Sequence, residues 1–352
     1  MFAVFALVAL PVGAQGGEPA EVQSSEADPA EVEPAEVEPP DAGHAPEEFH
    51  PQHPPAGVSA AHTLHVGRFA MGYAYQHTRY KQLRDRRDRI SAGQLLATTG
   101  YTTAPSALEI EQHDVTLMFS PAERVTLMAT LPVFRKELVN ESAGGRFVTR
   151  SSGIGDLKLT AIAQFMKHDY EITHVHLELG TPTGSFRESD LTPSGRTRLP
   201  YPMQLGTGVW HLAPGLSYEG NFWKYTWGGQ ARTLFRFAKN GSSYRPGNDY
   251  RVTGWLGRQW MDGVATSLRL EWQRWENVNG RDDTLDPTRS PLEDAMAQKG
   301  ERLDLGFGLD LGIPYLESQT LEVEATLPLW EWLDGPQPSF DWRVRAGVRW
   351  AI

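Results

Sequence analysis

From Ser339 to Ile352 the sequence alternates without a break. Phe340, Trp342, Val344, Ala346, Val348, Trp350 and Ile352 fall in one set, and Asp341, Arg343, Arg345, Gly347, Arg349 and Ala351 in the other. Successive side chains of a strand point to opposite faces, so this pattern dictates one apolar and one charged face. Globular strands run about 5–6 residues, whereas a strand that crosses a bilayer needs about 9–11. The same alternation recurs upstream. Leu303, Leu305, Phe307, Leu309, Leu311 and Ile313 interleave with Asp304, Gly306, Gly308, Asp310 and Gly312. Leu321, Val323, Ala325, Leu327 and Leu329 interleave with Thr320, Glu322, Glu324 and Thr326. Val264, Thr266, Leu268, Leu270 and Trp272 interleave with Ala265, Ser267, Arg269, Glu271 and Gln273.

About twelve strands are expected, at 64–77, 107–119, 123–134, 153–166, 170–181, 202–218, 223–238, 249–260, 263–276, 302–313, 319–329 and 339–352. The connections between them alternate strictly between long and short, from 78–106 (long) and 120–122 (short) to 314–318 (short) and 330–338 (long). Membrane barrels have short turns at one end and longer loops at the other, and a sandwich has no reason to show this. The expected fold is therefore all-β: a single antiparallel up-and-down transmembrane β-barrel, with both termini on the short-turn, periplasmic side of a Gram-negative outer membrane. Mean hydropathy is -0.43. No apolar run reaches the length of about 18 residues that a membrane helix needs.

Three segments are expected. Residues 1–14 read as a signal peptide, with the apolar run Phe2–Leu10 followed by Val12 and Ala14 at cleavage positions and no basic residue before it, so the start could lie upstream. Residues 15–61 read as a disordered acidic tail, with the near-repeats Pro19-Ala-Glu-Val, Pro29-Ala-Glu-Val and Pro34-Ala-Glu-Val. Residues 62–352 would form the barrel. The tail also explains the formal net charge of -11. Glu18 to Glu48 holds 11 of the 44 acidic residues and no Lys or Arg, which leaves 33 acidic against 33 basic. No basic surplus points to a nucleic-acid partner. There are no cysteines, so disulfides and thiolate metal sites are excluded.

The alternation assigns Asp156, Glu178, Arg232, Arg236, Arg251, Arg269, Glu271, Asp304, Asp310, Glu322, Glu324, Asp341, Arg343, Arg345 and Arg349 to the lumen. An Arg facing lipid at the midplane costs about 2–4 kcal/mol, so these charges belong inside. They would line a hydrophilic passage or fill a narrow barrel with salt bridges; Gly306, Gly308 and Gly347 on the same face leave room and favour a passage. Tryptophans near strand ends, among them Trp223, Trp255, Trp330 and Trp342, suit interfacial girdles. His174, His176 and Glu178 share one strand face and are weak metal candidates; lumen polarity is the commoner role for such residues. His44, His50, His53, His62 and His65 similarly read as a solvated Pro/His linker before a loose metal site. No hydrolase or phosphate-loop motif occurs, so no catalytic residue and no cofactor is expected.

Gly153-Ile-Gly-Asp156, Leu179-Gly-Thr-Pro-Thr-Gly184 and Tyr201-Pro-Met-Gln-Leu-Gly-Thr-Gly208, in this order, resemble the outer-membrane family named for the MetA pathway of phenol degradation. The likeness extends from about Val115 to the last strand. It implies an outer-membrane β-barrel transporter for small, aromatic or other hydrophobic compounds, and it carries no catalytic residues. Two departures stand out: the acidic tail, and a final Ile352 where an aromatic is usual, with Trp350 two residues before it. The expected partners are outer-membrane lipid and lipopolysaccharide, the outer-membrane assembly machinery and a small-molecule solute. Other readings are a barrel enzyme such as a lipid hydrolase, which needs Ser and His together on the lipid face near the outer rim, and a structural or adhesion barrel.

Overall fold

The computed structural model describes residues 54–168, 170–312 and 319–351. The signal-peptide expectation, the tail up to residue 53, the short turn at 314–318 and Ile352 lie outside the described residues.

Alternating residues form strands throughout. In chain order these are β1 (Phe69–Arg86), β2 (Asp88–Ile90), β3 (Thr103–Ala122), β4 (Val125–Ser142), β5 (Gly145–Ile154), β6 (Lys158–His168), β7 (Glu171–Gly180), β8 (Ser189–Thr192), β9 (Gly195–Arg198), β10 (His211–Phe222), β11 (Tyr225–Arg236), β12 (Tyr244–Arg245), β13 (Asp249–Met261), β14 (Val264–Trp275), β15 (Asn279–Gly280), β16 (Gly300–Gly312) and β17 (Gln319–Ala351). A seven-residue helix α1 (Ala92–Thr98) is capped by Ser91, whose hydroxyl accepts from the Gln94 amide while the Gln94 side chain accepts from the Ser91 amide. No described helix is long and apolar enough to cross a membrane.

Eleven of these elements form a ring in the order β1-β3-β4-β6-β7-β10-β11-β13-β14-β16-β17, with β17 paired back to β1; β2 and β5 pair outside it. All pairings are antiparallel. β17 meets β16 through residues 320–333 and β1 through residues 333–351, antiparallel to both. A closed antiparallel ring requires an even number of passes, so β17 must reverse direction. It does so at its middle, where Gly335 has φ +96 and Glu331 accepts from the Phe340 amide. Its two halves and the ten other elements make twelve passes. Ala351 pairs with Ala70, so the ring begins and ends at the same rim. The described short turns lie at that rim, and Arg124, Trp223 and Gly263 take positive φ there, as tight hairpins require.

The outward face is apolar. Leu117, Leu127, Leu177, Leu216, Leu256, Leu268, Phe307 and Leu327 are all exposed. An exposed belt this continuous needs a non-aqueous partner. Above it on β1, β3 and β4 come Tyr73, which hydrogen bonds to His113 (2.7 Å), and His77, which stacks on Trp342. Above those come outward ion pairs, Arg79–Glu109 (3.6 Å), Arg135–Glu111 (3.9 Å) and Arg150–Glu137 (2.8 Å).

Three expected boundaries are corrected. The first strand runs from Phe69 to Arg86, not 64–77, because its charged end stands above the apolar belt. Residues 135–152, expected as a loop, continue β4 and form β5. Residues 202–210, expected in a strand, form a loop with one 3-10 turn at Tyr201–Met203. Leu268→Arg should lower barrel stability by about 2–4 kcal/mol in urea unfolding from vesicles. An unchanged midpoint would show that this face does not meet lipid.

Candidate functional site

The inward side chains form a dense network of ion pairs. Arg269 binds Glu324 through two nitrogens (3.0 and 2.7 Å) and Glu271 through a third (2.9 Å), with all three side chains buried. The Glu178 carboxylate accepts from Arg232 (2.6 Å) and is hydrogen bonded to His211 (3.0 Å). Arg251 donates to Asp249 (2.8 Å), Arg302 to Asp304 (2.8 Å), Arg349 to Glu322 (2.9 Å) and Arg345 to Asp114 (3.0 Å). Asp310 is the register partner of Glu322. Arg343 reaches Thr78 (3.4 Å), and Arg236 donates to the Gly247 carbonyl. A buried charge without a partner is strongly unfavourable, and this pairing is what makes the polar wall tolerable.

Two expected lumen residues stand elsewhere. Asp341 sits at a register shift between Phe340 and Trp342 and lies 3.8 Å from the outward-facing Arg79. Asp156 holds loops together, as described below. Arg302, Asp249, Glu331, Asp114 and Lys136 escaped the sequence reading. Arg302 and Asp249 each lie two residues from an assigned charge, Asp304 and Arg251, and extending the phase would have found them. His174, His176 and Glu178 share the inner face of β7, and the Glu178 carboxylate is taken by Arg232 and His211. Among the described residues, no group of three His, Asp or Glu side chains is placed to hold a metal.

The inner glycines do not leave open space. A Cβ on Gly308 would lie 2.1 Å from the Ser267 hydroxyl, and one on Gly306 3.2 Å from the Glu324 carboxyl carbon. These positions admit neighbouring side chains.

Part of the remaining space is taken by the chain itself, with Gly57 and Ser59 still exposed. Residues 54–61, expected as part of a disordered tail, run inside the barrel. Leu64 N donates to Thr126 Oγ1 (2.8 Å) near the short-turn rim. His62 Nε2 is 3.1 Å from Arg349 Nη1. Gln230 donates to the Ser59 carbonyl (2.9 Å), and Gly57 N donates to Glu324 (3.3 Å). A Cβ at Gly57 would lie 2.4 Å from Glu324 Oε1 and 2.6 Å from Arg269 Nη2, so the ends of those side chains would have to shift. Pro54, Pro55, Ala60 and Ala61 are buried.

The long-loop end is closed from above. The Asp156 carboxylate accepts from Gly184 N (2.9 Å), Thr207 N (2.8 Å) and Thr207 Oγ1 (2.7 Å). Gly155, Gly184 and Gly206 cross so closely that a Cβ on Gly206 would lie 2.4 Å from the Gly184 carbonyl oxygen. The clamp turns residues 201–205 inward, where Lys136 donates to the Pro202 and Gln204 carbonyls (2.9 and 2.5 Å) and Ser151 to that of Met203 (2.7 Å). Met203 and Leu199 pack with Leu108, Leu138 and Leu292, the last from the loop before β16. Tyr201 and Tyr244 meet edge-on at 4.9 Å, and burial pushes the Tyr244 phenol up to about 12, so it stays neutral. The three glycine motifs singled out in the sequence thus meet at one place.

No family profile matches the sequence, and no curated protein sequence matches it. Among solved structures, the COG4313 outer membrane channel from Pseudomonas putida F1 is similar, with a TM-score of 0.63 at 15% identity over 86% of this chain and 100% of that one. The translocator domain of the autotransporter NalP from Neisseria meningitidis (TM-score 0.46, 13% identity, 83% and 90% covered) and the KdgM porin (0.38, 9%, 80% and 98%) are more distant. At these identities the likeness is one of fold, an outer-membrane type of β-barrel.

Asp156→Ala leaves three donors unpaired and should release the inward loop. Proteolysis within residues 183–207 should speed up at least tenfold while the barrel stays folded by heat-modifiable migration. Arg269→Ala, which strands Glu324 and Glu271, should cost about 3–5 kcal/mol in the same urea assay.

Proposed function

We propose that this protein is a gated outer-membrane channel for small solutes, closed in the present state by its own residues 54–64. The observation that carries this reading is the nature of the obstruction. The polar wall is largely paired within itself, and part of the space it encloses is occupied by a chain segment that enters past the short-turn rim and touches the wall through a few hydrogen bonds. A barrel built only as an anchor has no need of such a detachable filling. Withdrawal of residues 54–64, together with release of the inward loop that packs on Leu108, Leu138 and Leu292, would leave a passage lined by Arg269, Glu324, Gln230 and Arg349, with no strand rearranged.

The resemblance to the MetA-pathway family supports small aromatic compounds as solutes, the similar channel structure supports an outer-membrane location, and both ends of the ring at the short-turn rim support termini on the periplasmic side. The enzyme reading has less to stand on. The outward histidines near the rim, His77 and His113, bond to Tyr75 and Tyr73, not to a serine.

In planar bilayers, deletion of residues 54–64 combined with Asp156→Ala, which frees the inward loop, should raise the open probability and single-channel conductance severalfold above the full chain. A folded deletion variant that stays electrically silent would sink the channel reading.

A further inference from the structure

Apart from Arg84, which reaches Glu331 (3.6 Å), the basic run Lys81–Arg89 takes no part in the lumen network. It forms the end of β1 and its hairpin with β2, where Leu83, Arg84 and Asp85 pair with Ile90, Arg89 and Asp88. Gln82 and Arg86 both take positive φ, at 64° and 54°. Beside it, the β1–β17 ladder is interrupted by three register shifts between Arg79 and Arg86. A cleft of about 380 Å³ opens there, lined by Lys81, Arg84, Arg87 and Arg89 on one side and by Leu329 and Trp330 of β17 on the other.

Its charge is not cancelled locally. Glu331 and Asp341 also line the cleft. Glu331 is engaged by Arg84 (3.6 Å), Ser339 and the Phe340 amide, and Asp341 by Arg79 (3.8 Å). Among the described residues, Lys81, Arg87 and Arg89 form no ion pair with a carboxylate; Arg87 lies over the Trp330 ring at 5.5 Å. The position is equally specific. The outward apolar run of β17, Leu321, Ala325, Leu327 and Leu329, ends at this cleft. The cations therefore stand at the level where apolar chains give way to headgroups, and Leu329 and Trp330 extend the apolar surface up to them.

We propose that this cleft binds the phosphorylated headgroup of an outer-leaflet glycolipid. Arg87, Arg89 and Lys81 would take the phosphate oxygens, and Leu329 and Trp330 would pack against the sugar and the first acyl carbons. The site is independent of whether the lumen conducts.

The test uses the purified full chain in detergent, with lipid A as the probe and native mass spectrometry as the readout. The unaltered protein should retain lipid A. Arg87→Glu/Arg89→Glu, and separately lipid A stripped of its phosphates, should each weaken retention about tenfold. Arg281→Glu, on a different exposed loop, should change nothing. Heat-modifiable migration reports folding, and Arg87→Gln/Arg89→Gln serves if the reversed pair does not fold. Equal retention by the folded variant, or of the dephosphorylated lipid, would overturn the proposal. So would displacement of the lipid by millimolar inorganic phosphate, which would mark a free-anion site. Conductance of the same variant should match that of the unaltered chain, so loss of lipid binding is read apart from loss of channel activity.

Discussion

A strand surrounded by hydrocarbon cannot leave its edge amides unpaired, because no water is there to take them, and each orphan costs several kcal/mol. The rest of the structure follows from that requirement. The sheet must close, closure with antiparallel neighbours demands an even number of passes, and an even number brings both ends of the ring to one rim. The seam between β1 and β17 is where this demand is met, with Ala70 through Arg79 paired without a break to residues 342–351. The seam loosens only above Arg79, beyond the apolar belt, where water can satisfy what the ladder does not. The three register shifts fall in that region, and so does the basic cleft.

Closure fixes the inside as firmly as the outside. Every residue that does not face lipid faces a narrow interior, so a lumen with this many arginines must supply carboxylates at matching heights. The fold does so: Arg302 meets Asp304 on the same strand, and Arg269 lies between Glu271 and Glu324. The result is a polar wall in which most guanidiniums are paired, whereas Asp310, opposite Glu322, and Arg343, at Thr78, form no ion pair among the described residues.

The barrel was legible because its signal lies in the outward face alone. In β14, β16 and both halves of β17, apolar residues recur at every second position, and the loop lengths alternate with them. The phase was lost where that signal stops. Above the belt, β1 and β4 are charged on both faces, as at Arg79 and Lys136, so the pattern there looks like a loop although the hydrogen bonds continue. Asp341 was assigned inward because the alternation was carried through a register shift that no residue type announces. Asp156 was assigned inward as a strand residue, whereas residues 155–157 interrupt the wall between β5 and β6 and bring its carboxylate to the loop at Gly184 and Thr207.

Residues 54–64 were the least legible, and their composition explains both the misreading and their role. Pro-Pro-Ala-Gly-Val-Ser-Ala-Ala has the low complexity of a linker, and alone in water it has too little apolar surface to fold. Small side chains are also what a lumen crowded by Arg269, Glu324 and Arg349 admits; at Gly57 even a methyl group would collide. The same small size limits how firmly the segment is held. Each of its hydrogen bonds contributes on the order of 0.5–1.5 kcal/mol, against a loss of about 1–2 kcal/mol of backbone entropy per ordered residue. A filling of bulky apolar side chains would have been nearly permanent. On the proposed gating, this one could leave the passage while Gly67, which donates to the Ser120 carbonyl on β3, holds it at the rim.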